Sequence, residues 1–509
     1  MRHHRILTTL ASLGLATAGL ALVGQPAEAA DSRCNRTNDS LRKLLECVTL
    51  DGVMDHQRAF QRIADDNGGT RASGTPGYDA SADYVEERLE RAGYVVTRQE
   101  FEFHAFAVEG PSTLNQTAPT PTTYVEGTDY GPTPQSEPGE VTAPVVPVDI
   151  NLTLPRANTS GCEPADFATF PAGSIALLQR GTCTFAQKGN NAGEAGAAGI
   201  IFFNQGNDPN DPSRMGIPGV TLGDGYSGGI PAVNATYALG AQWAQTAGLT
   251  MHMNVNVSRV LTTTENVIAE SKGGDANNVV MAGAHLDSVE AGPGINDNGS
   301  GSAALLEVAE QLAEVRPVNT VRFAWWGAEE SNLVGSSRYV TGLSPVERSR
   351  IALYLNFDMV GSPNPVFFVY DGDDSDATGI GPGPSGSDRI EKTFEAFYQQ
   401  RHVPFKGTDF SGRSDYGPFI AAGIPSGGLF TGAEATKTAE EAAIWGGVAG
   451  RPYDSCYHQA CDTVTNLDEH ALDVNSDAMG FAILQYGMNT SDINGIPGRD
   501  DFPPVTPAP

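Results

Sequence analysis

Basic residues are scarce in this sequence of 509 residues. The chain has 31 lysines and arginines against 61 aspartates and glutamates, which gives a formal net charge of −30 at neutral pH. So large a negative charge repels the phosphates of nucleic acids and the headgroups of anionic membranes. We therefore expect no nucleic-acid partner, although such an acidic surface keeps a protein soluble and could retain Ca2+.

Charged residues of either sign are also few, and only one apolar run is long. Charge accounts for 18% of the residues and hydrophobic side chains for 40%, which is typical of a folded globular protein. The long run extends from Ile6 to Val23 and is followed by the small-residue sequence Ala27-Glu28-Ala29. This pattern predicts a signal peptide at residues 1–29 and a secreted protein. A membrane anchor is the alternative, but glycine and threonine dilute the run, and no other stretch could span a bilayer.

Cysteine is sparse, and no two cysteines have the two-residue spacing that is typical of zinc–thiolate sites. All six lie beyond the predicted signal peptide. They fall into three pairs that are close in sequence: Cys34 and Cys47, Cys162 and Cys183, and Cys456 and Cys461. Three disulfides are the simplest interpretation outside the cell, although the sequence alone does not prove the connectivity.

The length of the chain predicts two domains, because a single core rarely serves so many residues. Residues 40–108 begin a domain that they do not complete, and its pattern of helices and strands returns after residue 262. Residues 111–140 are rich in threonine, proline and glycine and are expected to form a linker or surface loops. We predict that a smaller domain at residues 110–260 is inserted into an α/β domain built from residues 40–108 and 262–490.

Apolar runs of strand length recur in the last part of the chain. They are Asn278 to Ala284, Val321 to Trp326 and Leu353 to Phe357, separated by helices such as Ser302 to Leu312. Strands of this kind alternating with helices indicate a sheet that is covered on both faces. The expected fold class is α/β, with a mixed, mostly parallel central sheet flanked by helices and a β-rich α+β insert. The proline-rich end, residues 496–509, is expected to be a disordered tail.

Five side chains that bind first-row metals sit where predicted strands run into loops: His285, Asp297, Glu330, Asp358 and His458. One bridging carboxylate, with one further carboxylate and one imidazole for each metal, would hold two zinc ions and leave room for a water. Each motif alone has an ordinary structural explanation. Together the five predict a hydrolase.

Two further acids accompany these ligands. Glu329 directly precedes Glu330 at the end of a predicted strand, where neighbouring side chains point in different directions. One glutamate could therefore bind metal while the other faces the reacting water. Asp287 stands two residues after His285 and is expected to orient its imidazole.

Several longer sequence motifs resemble those of a known family. They are NGGTRASGTPGYDAS (67–81), MAGAHLDSVEAGPGINDNGSGSAALLE (281–307), VRFAWWGAEE (321–330), LYLNFDMVGSPNP (353–365), GRSDYGPF (412–419), GGLFTGA (427–433) and CYHQACD (456–462). The chain resembles secreted co-catalytic di-zinc aminopeptidases of the bacterial leucyl-aminopeptidase type, which have a zinc exopeptidase fold. Residues 161–205 resemble a protease-associated (PA) domain.

This resemblance implies a role for each metal ligand. Asp297 would bridge the two zinc ions, His285 and Asp358 would complete one site, and Glu330 and His458 would complete the other. A monomer is expected to act on peptides or proteins that have a free N-terminus, with large apolar first residues such as leucine preferred.

The resemblance also implies roles for residues beyond the ligands. Glu329 would be the general base that takes a proton from the bridging water and passes it to the leaving amine. Tyr457 would hydrogen-bond the tetrahedral oxyanion, and Arg413 would line the substrate pocket. Asp473 and Asp477 match a pair that helps to bind Ca2+ in related enzymes.

Three alternatives remain. The first is a glutamate-releasing carboxypeptidase with a PA insert. It would be excluded if the protein hydrolyses leucine anilides and does not hydrolyse peptides with a blocked N-terminus. A glutaminyl cyclase shares the fold but uses one zinc, and cyclisation of N-terminal glutamine would reveal it. The third is a binding ectodomain with a dead site, against which the complete ligand set argues.

Overall fold

The computed structural model describes residues 34–209, 212–377, 379 and 381–505. The predicted signal peptide and the last four residues of the chain lie outside the described residues. Within the described residues, no helix is long and apolar enough to cross a membrane.

The helices and strands of the described residues fall into three segments along the chain. The first segment contains α1 (Leu41–Leu45), α2 (Leu50–Asp66), α3 (Pro76–Ala92) and β1 (Val95–Val108). The middle segment contains β2 (Thr113–Ala118), β3 (Thr122–Thr123), β4 (Tyr130–Pro132), β5 (Gly139–Pro147), a 3-10 turn (Pro164–Phe167), β6 (Ile175–Gln179), α4 (Phe185–Glu194), β7 (Gly199–Phe203), α5 (Pro212–Met215), β8 (Ala232–Ala235), α6 (Tyr237–Ala244) and β9 (Thr250–Val255). The last segment contains β10 (Val257–Glu270), β11 (Asp275–His285), α7 (Gly299–Leu312), β12 (Asn319–Trp326), α8 (Val334–Gly342), α9 (Pro345–Arg350), β13 (Ile351–Phe357), β14 (Phe368–Tyr370), α10 (Ser387–Arg401), β15 (Lys406–Thr408), α11 (Tyr416–Ala421), β16 (Ser426–Phe430), α12 (Ala439–Trp445), α13 (Glu469–Met488) and α14 (Ser491–Asn494).

The first and last segments share one mixed sheet. Its strand order is β1-β10-β12-β11-β13-β16-β14-β15. The central strands β12, β11, β13 and β16 run parallel, whereas β1 and β10 add an antiparallel edge. The predicted fold class, a mixed and mostly parallel sheet flanked by helices, is confirmed.

Helices α7 and α13 pack tightly against the sheet because their sequences are apolar or small on nearly every side. Twelve residues of α7 and fifteen of α13 are buried, and the polar residues of α13 that lie outside the core, among them Asp473 and Asp477, are confined to its first half. The apolar residues of α2 and α3 complete this core together with those of β11, β12 and β13. The packing fixes the position of the loop that precedes α7.

The middle segment forms a second sheet of order β3-β2-β9-β5-β6-β7-β8-β4, so the insert is β-rich as predicted. Residues 111–140 differ from the expectation of a linker or surface loops, because they contribute β2, β3, β4 and the start of β5 to this sheet. Leu114 and Tyr130 are buried in its apolar core. Their apolar side chains are too widely spaced among threonines and prolines for the sequence to reveal these short strands.

The C-terminal segment also differs from the expected disordered tail. Phe502 is 3% exposed and belongs to the main apolar core. Asn489 Nδ2 donates a hydrogen bond to the carbonyl of Phe502 at 2.8 Å, and Gln485 Nε2 donates to that of Pro503 at 2.9 Å. These contacts hold the segment up to residue 505 against α13, which the proline content of the sequence did not indicate.

The six cysteines form disulfides in the three pairs that the sequence suggested. Cys34 is bonded to Cys47, Cys162 to Cys183, and Cys456 to Cys461. The last bond closes a loop of the metal-ligand region.

Candidate active site

Three parallel strands bring four of the candidate residues to one edge of the sheet. His285 is the last residue of β11, Glu329 and Glu330 follow β12, and Asp358 directly follows β13. The carboxyl ends of neighbouring parallel strands lie side by side, which is where open α/β sheets bind their ligands. Asp297 joins them from the loop between β11 and α7.

The two oxygens of Asp297 face two different imidazoles. Oδ1 lies 3.3 Å from His285 Nε2, which is also 3.4 Å from Asp358 Oδ1. Oδ2 lies 3.2 Å from His458 Nε2, which is 3.0 Å from Glu330 Oε2. The five side chains thus form two groups of three that share one carboxylate.

His458 reaches this site in a different way from the expected one. The sequence placed it where a strand runs into a loop, but it lies in the long connection between α12 and α13, far beyond the end of β16. The loop closed by Cys456 and Cys461 holds it, and the ring of Tyr457 stacks on its imidazole with centroids 3.8 Å apart. The expected strand end is therefore not found before this ligand, whereas the disulfide expected between the cysteines on either side of it supports its loop.

The donor set fits divalent zinc. Two imidazoles and three carboxylates are ligands that zinc takes in catalytic sites. Glu330 Oε1 and Asp358 Oδ1 are buried and have no hydrogen-bond partner among the described residues. Because a buried carboxylate oxygen without a partner is costly, a cation at each group of three would remove that cost.

The pKa values of the two imidazoles also indicate a site that favours a cation. Burial alone would lower the pKa of both histidines. For His285, the charges of Glu329 and Asp358 outweigh burial and raise its pKa well above the usual value. Burial is likewise outweighed at His458, whose pKa is raised to about 11 by Glu330 and Asp297. The carboxylates therefore create a potential that strongly favours positive charge.

The pKa values of the neighbouring carboxyl groups are shifted as well, downwards for one group and upwards for two. Burial would raise the pKa of Asp297, but hydrogen bonds with His285 and His458 hold it below its usual value. Burial and the nearby charge of Asp297 raise the pKa of Glu330 to about 7. Burial raises the pKa of Glu329 well above its usual value, although His285 opposes this. Like charges crowded in a buried site need a cation to ionise together.

Glu329 stands beside the two groups of three and belongs to neither. Its Oε2 is 4.0 Å from His285 Nε2, and its side chain lines the same cavity as His285, Asp297, Glu330 and Asp358. The backbone N–H groups of Glu329 and Glu330 donate to the two carboxylate oxygens of Asp287, at 3.2 and 3.4 Å. Asp287 thereby holds both glutamates in place.

The relation of Asp287 to His285 is less direct than expected. The closest contact of His285 Nδ1 is the backbone carbonyl of Asp287, at 3.0 Å, whereas the carboxylate Oδ1 is 3.6 Å away. A carbonyl acceptor fixes the tautomer of the ring and leaves Nε2 free to bind metal. The carboxylate serves the glutamate loop instead.

Three of the loops that carry candidate ligands, after β12, after β13 and between Cys456 and Cys461, contain a residue with left-handed backbone conformation. Ala328, directly before Glu329, has φ of 52°, Met359 directly after Asp358 has φ of 50°, and His458 itself has φ of 57°. Such conformations are unfavourable for residues other than glycine and cluster at functional sites. The surrounding packing maintains them here.

Arg413 and Tyr457 face each other at the mouth of the site. Arg413 Nη1 donates to Glu434 Oε1 at 2.8 Å, and Nη2 donates to the hydroxyl of Tyr457 at 3.3 Å. Burial and the charge of Asp297 raise the pKa of Tyr457 above its usual value, so the phenol keeps its proton. The tyrosine can therefore donate a hydrogen bond into the cavity.

The cavity beside these groups has a volume of about 400 Å³. Its apolar wall consists of Met359, Phe368, Tyr370, Phe430 and Tyr453. None of the described residues between 110 and 260 lines it. The site therefore combines a charged floor with an aromatic wall.

Three residues that the sequence did not single out support the ligands. Ser414 Oγ donates to Asp358 Oδ2 at 2.6 Å. The buried guanidinium of Arg71 donates to the carbonyls of Leu286, Pro293 and Gly294 at 2.5, 2.8 and 2.6 Å, and so holds the chain between His285 and Asp297. Asp462 accepts from the backbone N–H of Asp297. All three supporting residues lie in the sequence words that carry the family resemblance, but only the fold shows what they contact.

The two aspartates expected to bind calcium lie one turn apart on α13. Asp477 Oδ2 accepts a hydrogen bond from Arg401 Nη2 at 2.9 Å, which neutralises part of its charge. Within the described part of the chain, neither aspartate belongs to a group of three possible metal ligands. Calcium binding at Asp473 and Asp477 stays a prediction.

Comparison with known sequences agrees with this geometry. Residues 266–483 match the model of peptidase family M28, and residues 141–243 match that of the PA domain. An aminopeptidase of Pseudomonas aeruginosa is 52% identical over 451 residues, covering 89% of this chain and 83% of that protein. The chain belongs to peptidase family M28. The prediction of an aminopeptidase with a PA domain is thereby confirmed.

Other relatives are also named as aminopeptidases. A probable lipoprotein aminopeptidase of Mycobacterium tuberculosis is 44% identical over 462 residues, which are 89% of this chain and 88% of that protein. Leucine aminopeptidase 2 of Arthroderma otae is 39% identical, over 84% of this chain and 81% of that protein.

Solved structures share the fold of this M28 chain. The aminopeptidase from Aneurinibacillus sp. strain AM-1 aligns with a TM-score of 0.67 and 25% identity, over 88% of this chain and 96% of that chain. A zinc aminopeptidase from Bacillus subtilis aligns with a TM-score of 0.56 and 23% identity, over 89% of this chain and 99% of that chain.

Proposed function

We propose that this protein is a secreted aminopeptidase that uses two zinc ions to remove large apolar residues, such as leucine, from the N-termini of peptides and proteins. The observation that carries the proposal is the pair of ligand groups that share Asp297. His285 and Asp358 would complete one zinc site, and Glu330 and His458 the other. When bound, two zinc ions would polarise the scissile carbonyl and acidify water.

Glu329 is the proposed general base. Its carboxylate lines the cavity beside the ligand groups, so it can take a proton from the attacking water and return it to the leaving amine. Asp287 supports this role, because its carboxylate accepts hydrogen bonds from the backbone of Glu329 and Glu330. The backbone that carries Glu329 is thus held in place before substrate arrives.

Tyr457 is the proposed donor to the oxyanion. Its hydroxyl already accepts a hydrogen bond from Arg413, which leaves its own proton available to the cavity. A preorganised donor aimed at developing negative charge stabilises the transition state. Arg413 would orient Tyr457 and line the substrate pocket, and Glu434 holds the arginine from its other side.

The preference for large apolar residues is supported by the aromatic wall of the cavity. Phe368, Tyr370, Phe430 and Tyr453 would surround the first side chain of a substrate and remove it from water.

Metal analysis combined with a panel of aminoacyl anilides tests the proposal. We expect two zinc ions per chain, rapid hydrolysis of leucine and phenylalanine anilides, and no hydrolysis of N-acetyl-leucine anilide. Release of C-terminal glutamate from a peptide with a blocked N-terminus would favour a carboxypeptidase. One zinc per chain together with cyclisation of N-terminal glutamine would favour a glutaminyl cyclase, and failure on every substrate would favour a binding ectodomain.

A further inference from the structure

The loop that carries Tyr457 and His458 is bracketed by two buried aspartates. Asp454 precedes Cys456, and Asp462 follows Cys461, so one carboxylate stands at each end of the disulfide loop. Each of the two is 1% exposed. Neither is among the candidate metal ligands.

Both carboxylates hold the segment that contains the shared ligand Asp297. Asp462 Oδ1 accepts from the backbone N–H of Asn296 at 2.8 Å, and Oδ2 accepts from that of Asp297 at 3.0 Å. Asp454 Oδ2 accepts from Asn296 Nδ2 at 2.7 Å, while its Oδ1 accepts from the backbone N–H of Cys456 at 2.8 Å. Two ligand-bearing loops that are distant in sequence therefore meet on two carboxylates.

A third side chain joins the two acids. Asn466 Nδ2 lies within hydrogen-bond distance of Asp454 Oδ1 and Oδ2, at 3.0 Å each, and of Asp462 Oδ1 at 3.1 Å. The backbone N–H of Ile295 also donates to the carbonyl of Asp462 at 3.1 Å. The contact is thus a network whose members constrain one another.

We propose that Asp462 is a positioning residue that sets the distance between Asp297 and His458 and thereby determines how tightly zinc is held at the His458 side of the site. The inference rests on the proposed function, because it takes Asp297 and His458 as ligands. Its physical basis is that a metal site binds best when its ligands are already at the required separation. Asp462 fixes the backbone of one ligand from the end of the loop that carries the other.

The substitution Asp462→Asn is the direct test. An asparagine oxygen can still accept one backbone N–H, but its amide nitrogen would face the other, donor against donor. The segment that holds Asp297 would then move away from the His458 loop. We expect zinc affinity, measured by competition with a chromogenic chelator, to fall about 10- to 100-fold, as is common for groups that support metal ligands. The visible absorption of the Co2+-substituted protein should change as well.

Asp371→Asn is a matched control. Asp371 is 3% exposed, and its two oxygens accept the backbone N–H groups of the consecutive residues Ser375 and Asp376, at 3.0 and 2.9 Å. Two of the hydrogen bonds that it accepts thus match two of those of Asp462, and no hydrogen bond or ion pair of the described residues joins it to a proposed zinc ligand. Asp371 does form a separate group of three carboxylates with Asp373 and Glu391, but that group has no imidazole and suits Ca2+ or Mg2+ rather than zinc. We expect Asp371→Asn to lower the melting temperature while it leaves zinc affinity within about twofold of wild type.

The outcomes separate this inference from the proposed function. Equal zinc affinity in Asp462→Asn and Asp371→Asn, with normal zinc content in the wild type, would overturn the positioning role alone. A wild-type protein that binds no zinc would overturn the proposed function itself. Should Asp462→Asn not fold, Asp454→Asn weakens the same network at the other end of the loop and carries the same comparison with Asp371→Asn.

Discussion

The neighbouring glutamates 329 and 330 allow one chemical change to be tested in two adjacent positions. Replacing either by glutamine keeps the size and shape of the side chain and removes its charge. Glu330 Oε2 lies 3.0 Å from His458 Nε2, within one of the two ligand groups. Glu329 Oε2 lies 4.0 Å from His285 Nε2 and belongs to neither group. We therefore expect Glu329→Gln to lower turnover without loss of metal, and Glu330→Gln to lower turnover through loss of metal.

For Glu329→Gln we expect kcat to fall by a factor of about 10² to 10⁴, which is the usual contribution of a positioned general base. This corresponds to roughly 3 to 5 kcal/mol of transition-state stabilisation. The zinc content should not change, because Glu329 is in neither ligand group. For Glu330→Gln we expect zinc affinity to fall by more than the roughly 10- to 100-fold that is typical of groups supporting a ligand.

The assay is leucine anilide hydrolysis at saturating substrate, with metal content measured on the same samples. Excess zinc should restore part of the activity of Glu330→Gln and none of that of Glu329→Gln. If Glu329→Gln loses zinc to the same extent as Glu330→Gln, the assignment of Glu329 as base is wrong and it is a ligand. If its kcat is within threefold of wild type with zinc bound, proton transfer by Glu329 is refuted.

Three further predictions follow from other parts of the molecule. Burial raises the pKa of Glu307 to about 8, with the charge of Glu310 adding to the effect. The native state thus keeps a proton that the unfolded chain releases near pH 4.5. The free energy of unfolding of the wild type should therefore fall relative to that of Glu307→Gln as the pH rises from 4.5 to 8, by no more than about 5 kcal/mol. Denaturant unfolding at pH 5 and pH 9 measures this, and a constant difference between the two proteins, like that of the surface control Glu87→Gln, would contradict it. Replacing both Cys456 and Cys461 by serine should cost about 2 kcal/mol from the short loop alone and should also weaken zinc binding, since the loop holds His458; unchanged chelator competition would argue against the second effect. In the aromatic cavity a leucine side chain buries three more carbons than alanine, which should lower the activation free energy by about 2 kcal/mol. The kcat/KM for leucine anilide should therefore be roughly 30-fold higher than that for alanine anilide. A ratio near one would show that the pocket does not hold the first side chain.

Much of the architecture could be predicted from local patterns. The strands β11, β12 and β13 each contain a run of apolar residues because these parts are buried on both faces, and this made them visible in the sequence. The helix α3 is followed by Gly93, whose φ of 90° suits glycine, and a glycine directly after the last apolar residue of a helix is a local signal of where the helix ends. Strand ends and helix ends are local properties, so the residues near them reveal them.

The strands at residues 111–140 and the packed segment up to residue 505 could not be predicted in the same way. Their apolar residues, such as Leu114 and Phe502, are isolated, and only partners far away in sequence give them a buried environment. Composition suggested loops and a tail in both places. The contacts that order them are tertiary.

By itself, the sequence of this protein determined the alternation of buried strands and helices, the pairs of cysteines and the candidate ligands, because each depends on the identity and spacing of a few neighbouring residues. Tertiary structure alone decided that Asp297 Oδ2 faces the imidazole of His458, and that Asp462 holds the backbone beside Asp297. The reason is physical: a distance between atoms of residues more than a hundred positions apart is set by the packing of whole strands and helices, which no short stretch of sequence contains.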